Sequence, residues 1–155
     1  MTVDFDTILA RNARNARFQD ERNRLKKVAS ERRLGGLAND TKWDELILWV
    51  RAQTDYRPEH RFKRIDSAHV SNWDSEWHFH LPYPLSSIEW LEISFLRIKH
   101  RATLVPHITE DHSALIESVL QTIGLDYVKG RSAFRIFGYA PRNLHDFETA
   151  SITSP

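Results

Sequence analysis

No cysteine occurs among the 155 residues, which removes disulfides, thiolate metal ligands and a cysteine nucleophile. Glycine is scarce, at five positions, and none of them builds a phosphate-cradling loop. No Walker A, GxGxxG or GxSxG pattern appears, so the commonest phosphate-loop and nucleophile signatures are missing. No window approaches 18 consecutive apolar residues, which excludes a membrane-spanning helix. The opening MTVDFDTILARNAR lacks the apolar h-region and small-residue cleavage site of a secretory signal. The expectation is a cytoplasmic protein with no membrane partner and no cofactor.

What is present describes one globular unit. Hydrophobic residues make up 41% and charged residues 28% of the chain, ordinary values for a domain with a sizeable core. The net charge of +1 conceals an asymmetry. Residues 1–34 hold nine Lys/Arg against five Asp/Glu, or +4; the rest hold thirteen against sixteen, or −3. A basic arm precedes a mildly acidic body.

Residues 5–33 contain no Gly or Pro and predict a charged helix with an interrupted apolar stripe, with a break near Phe18 considered, stopped by Gly35-Gly36. In NDTKWDELILWVRAQ, Trp43, Leu46, Ile47 and Val50 recur at helical spacing, with Asp40 or Thr41 as cap and a Thr41/Asp44 capping box. HRFKRID suits a strand. Glu76 to Leu81 alternates, predicting a strand with Trp77, Phe79 and Leu81 on one face and Glu76, His78 and His80 on the other. IEWLEISFLRIKHRATLV reads as a strand pair or one bent strand, with a slip in alternation near Leu91-Glu92 that fits a bulge. A third helix is expected from a Thr109 cap through Leu115, Ile116, Val119, Leu120 and Ile123 to Gly124, followed by a hairpin turning at Lys129-Gly130. This order predicts an α+β fold, a mainly antiparallel sheet of four to six strands packed with two to three helices. The expected division is a basic N-terminal helix over 1–35, a single α+β domain over 36–142 and a flexible tail over 143–155.

NDTKWDEL, RFKRID, SEWHFHLP, SIEWLEI and GLDYVKGRSAFRIFGYAPR together resemble an uncharacterised bacterial family of unknown function with TKW, IEWL and RI-GY segments. The resemblance covers roughly residues 33–142. It implies a fold and a bacterial cytoplasmic setting but supplies no activity and no catalytic residue. Small bacterial domains of this kind are sometimes encoded beside toxins as immunity proteins, which is an analogy and not a property of these residues.

Four groups of residues compete for a functional role. His78 and His80 could share a metal with Glu76 and a neighbouring acid, as a small metal-dependent hydrolase would need; three or four ligands must converge, and sheet-surface decoration is the plainer expectation. Glu89 and Glu92 would serve as a catalytic pair only if a bulge brought them to one face; otherwise they are surface acids. Arg11, Arg14 and Arg17 recur along one side of the first helix and could meet nucleic acid, a reading disfavoured by the interrupting Asp20 and Glu21. Trp73 and Trp77 lie among acids, as binding hot spots do. The leading expectation is an immunity-type protein that occludes a cognate toxin, a nuclease being one candidate, through Trp73, Asp74, Glu76, Trp77, His78, His80, Glu89 and Glu92.

Overall fold

The computed structural model describes residues 5–100 and 102–149, apart from the side chains of residues 5–8 and Arg11. In chain order the elements are α1 (Phe5–Glu31), β1 (Gly35–Gly36), α2 (Asp40–Arg51), β2 (His60–Arg64), β3 (Ile88–Ser94), β4 (Leu96–Lys99), β5 (Ile108–Asp111), α3 (Ser113–Ile123), β6 (Tyr127–Lys129), β7 (Ala133–Phe137) and β8 (Tyr139–Ala140). The main sheet is antiparallel, ordered β2-β3-β7-β6, and the pairs β1-β8 and β4-β5 are separate. The fold is α+β, as expected.

One face of the sheet makes the core. Leu91 and Ile93 of β3 and Phe134 and Ile136 of β7 pack with Trp43, Leu46, Ile47 and Val50 of α2 and Ile116 and Leu120 of α3. Each buried aliphatic side chain of this kind contributes about 1.5–3 kcal/mol. The helical spacing of α2 was therefore a sound guide. Its capping was not: Asn39 is the N-cap, its side chain accepting from the Lys42 amide at 2.9 Å. Thr41 and Asp44 lie inside the helix. In α3 the Thr109 cap also fails, because Thr109 belongs to β5, paired with Ile98. The helix starts at Ser113, and Leu115 is exposed. Gly124 does end it, at φ 82.

The first helix runs unbroken past Phe18. Its side chains from Asn12 to Asp20 are exposed, whereas Leu25 and Ala29 pack on Ile65. The body therefore begins within α1, not at residue 36. The far end differs too: Asn143 to Thr149 lies against the sheet instead of trailing from it. Arg135 Nη1 donates to the Asn143 and His145 carbonyls at 2.7 and 2.9 Å, and Thr149 bridges to Gly130. Residues 150–155 of the expected tail lie outside the described residues.

The strand expected over 76–81 does not form. His60 on the edge of the sheet exchanges backbone hydrogen bonds with Asp74, both at 2.9 Å, and the chain then turns away. Trp77 and Leu81 are buried, but Phe79 between them is 81% exposed. The alternation arose from a turn that dips twice into the core.

Candidate functional site: an aromatic turn and a charged sheet face

The residues singled out in the sequence divide between two places. Trp73 to His80 form a surface turn beside the edge strand β2; Glu89 and Glu92 are buried on the outer face of the sheet, where Arg61 links Glu92 to Trp73.

The turn is held by its own acids. The Asp74 carboxylate accepts from the Glu76 amide at 2.8 Å and meets His80 Nδ1 at 2.6 Å. Glu76 accepts from the His80 amide at 2.6 Å. These amide contacts hold both carboxyls below their ordinary values: the Glu76 amide acts most strongly on Asp74, and the His80, Phe79 and His78 amides outweigh desolvation at Glu76. A carboxylate gathering successive amides fixes a turn as an anion fixes a nest. Trp77 anchors it below, its indole donating to the Pro58 carbonyl at 2.7 Å and its ring meeting His60 edge-on at 4.6 Å. Phe79 stands at the tip against the His78 ring.

Around the tip lies more apolar surface. Arg51 of α2 reaches His78 at 3.5 Å, and Leu48, one turn earlier on that helix face, is 62% exposed. Tyr83, also exposed, lines a groove of about 270 Å³ with Phe18, Arg14 and Arg17 of α1. Arg11, the third arginine of that series, has its side chain outside the description.

The histidines do not converge. His78 Nδ1 faces a guanidinium, a poor neighbour for a cation, while His80 is turned to Asp74. Among the described residues no three His, Asp or Glu side chains come together as a metal-binding group.

Glu89 and Glu92 are corrected from surface acids to buried ones, 2% and 1% exposed, and neither can belong to a docking surface. A bulge brings them to one face. Lys63 pairs with Trp90 but Arg64 with Ile88, leaving Glu89 as the extra residue in β3. Gly138 makes room for it: its amide donates to the Glu89 carbonyl at 2.8 Å, and a Cβ there would come within 2.1 Å of the Ile88 carbonyl oxygen. Glu89 meets Arg32 at 2.5 Å, Lys63 at 3.3 Å and the Asn143 amide at 2.7 Å. Burial alone would raise the Glu89 carboxyl; these partners outweigh it and hold it low. Glu92 is clasped by Arg61 at 2.7 Å and Arg135 at 2.7 Å. Arg135 is itself sandwiched between Trp90 and Phe147, at 3.8 and 4.9 Å from the ring centroids. A buried carboxylate clasped by two arginines is a structural clamp.

Arg135 was missed as a site residue, although a cation centred in AFRIF and an acid between the apolar residues of WLEI are each a signal of a buried pair. Bulge and pairing register, which join them, are not read from spacing.

No curated protein and no solved structure matches the chain. One family model does, over residues 25–143, from the first buried leucine of α1 to the asparagine that bonds Glu89. The chain belongs to that family, the family of unknown function DUF6678.

Proposed function

We infer that the chain is a protein-binding domain of the immunity type, which grips a cognate bacterial toxin with its 73–83 turn and occludes the toxin's site. One observation carries the reading: Phe79 is 81% exposed at the tip of a turn fixed by Asp74, Glu76, His80 and Trp77. A large ring held out in water on a preorganised support costs little entropy to dock, which is the character of an interface hot spot. Leu48 and Tyr83 extend the apolar area, with Arg51 and His78 between them supplying polar contacts. The toxin as partner rests on the analogy with immunity proteins. Charge mimicry of a nuclease substrate is not part of it, because Glu89 and Glu92 are buried and Asp74 and Glu76 are engaged inside the turn.

The test is co-expression with the product of the adjacent gene, followed by pull-down and a growth assay. A complex that protects cells, and that Phe79→Ser together with Leu48→Ser abolishes, is the expected result. Survival unchanged by the native chain, with no complex, refutes the reading.

A further inference from the structure

The outer face of the sheet carries a trough that shares only Trp73 with the docking turn. Two clefts, of about 350 and 270 Å³, share Arg61 and Asp146 in their walls. The smaller has Lys63, Trp90 and Arg135 in its lining; the larger has Trp73 and Glu92. Ionised side chains buried at the base of an open cleft mark binding sites more often than chance surfaces do.

The charges balance only at the rim. In the layer beneath it Arg32, Lys63, Arg61 and Arg135 face two carboxylates, Glu89 and Glu92, and the remaining acids of the lining, Asp146 and Glu148, are exposed. Arg135 is enclosed by Glu92, two carbonyls and two rings, so it cannot offer its charge to a ligand. Arg61 and Lys63 remain partly open, with side chains 29% and 15% exposed. Of the two exposed rim acids, Asp146 and Glu148, Asp146 already meets His145 at 3.1 Å. Two features besides charge point the same way. The Trp90 indole Nε1 is buried with no acceptor, so its desolvation is uncompensated. The Arg61 guanidinium carbon lies 4.9 Å from the Trp73 ring centroid, and Trp73 is still 39% exposed, so its ring can serve as a wall.

We propose that this trough binds a small aromatic oxyanion, its carboxylate or phosphate between Arg61 and Lys63 and its ring against Trp73. Benzoate and phenyl phosphate are the probes, titrated into the full chain while the five tryptophan indole N–H signals are followed by NMR. Saturable shifts of Trp73 and Trp90, with dissociation constants below about 1 mM for at least one probe, are expected. Which of the two binds tighter assigns the oxyanion. Inorganic phosphate and benzyl alcohol, which lack the ring and the charge respectively, should each bind about tenfold more weakly. Lys63→Met should weaken the better probe about tenfold, because Glu89 keeps Arg32 and Asn143, whereas Lys63→Arg should restore it. No saturable shift from either probe up to about 10 mM overturns the proposal. So does equal binding of benzyl alcohol, or a Lys63→Met chain that binds as the native one does.

Discussion

Phe79 is the residue on which the docking reading turns, and truncating it separates binding from folding. It contributes almost nothing to the core, being 81% exposed, so Phe79→Ala should leave the melting temperature unchanged. Loss of an interface hot spot costs about 2 kcal/mol or more, roughly a thirtyfold weaker complex, measurable by titration calorimetry. His60 makes the contrasting prediction. It is completely buried, neither ring nitrogen completes a hydrogen bond, and the polar groups facing it are Asp74, Glu76 and His80. Burial, chiefly, holds its imidazole below the ordinary value of about 6.5. A folded value below the unfolded one means that the neutral ring's contribution is complete above about pH 6.5 and shrinks as pH falls below it. His60→Leu should therefore lose less melting temperature than the native chain between about pH 7.5 and 5.5. An equal loss would show that the acid sensitivity lies elsewhere. At Glu92 the charge itself is tested. Glu92→Gln keeps the shape but leaves Arg61 and Arg135 facing each other without a counter-ion, at a cost of about 3–5 kcal/mol in urea unfolding.

Among the elements, the bulge in β3 decides what the outer face can be. It rests on Gly138, where a methyl group would strike the Ile88 carbonyl. Gly138→Ala should cost about 2–3 kcal/mol or more and loosen Glu89 from Arg32, seen as lower stability with a shifted Trp90 signal. A neutral outcome would mean that β3 can shed its extra residue. Here the sequence was partly legible. A slip in alternation was visible in IEWLEI, but it was placed at Leu91-Glu92 and not at Glu89, because the pattern counts residues on one strand and the bulge is defined by its partner. The same limit explains the segment before it. Trp77 and Leu81 advertise a strand, yet side-chain carboxylates capturing amides are a local alternative to the ladder, and only the competition between them decides. The helices were read better, since Trp43, Leu46, Ile47 and Val50 declare their face without help from a neighbour. Their first residues were not, as Asn39 and Thr109 show.

Across the whole molecule, apolar contacts lie on the inner face of the sheet and ion pairs on the outer. The outer layer is closed by Asn143 to Thr149, residues whose composition suggests nothing but a tail. They are tethered in part by the Asn143 and Phe147 side chains and in part through backbone carbonyls, and carbonyl acceptors leave no mark in a sequence. No helix of the described chain is long and apolar enough to cross a membrane. The docking turn and the trough share one segment of chain, since Trp73 walls the trough and Phe79 caps the turn, six residues apart. Between them Asp74 and Glu76 spend their charge on neighbouring amides and on His80. A partner meeting this tip therefore encounters a hydrocarbon ring, with the carboxylates beneath it held by the turn's own amides. Its capture should be nearly indifferent to ionic strength, the encounter rate holding within about twofold from dilute buffer to half-molar salt.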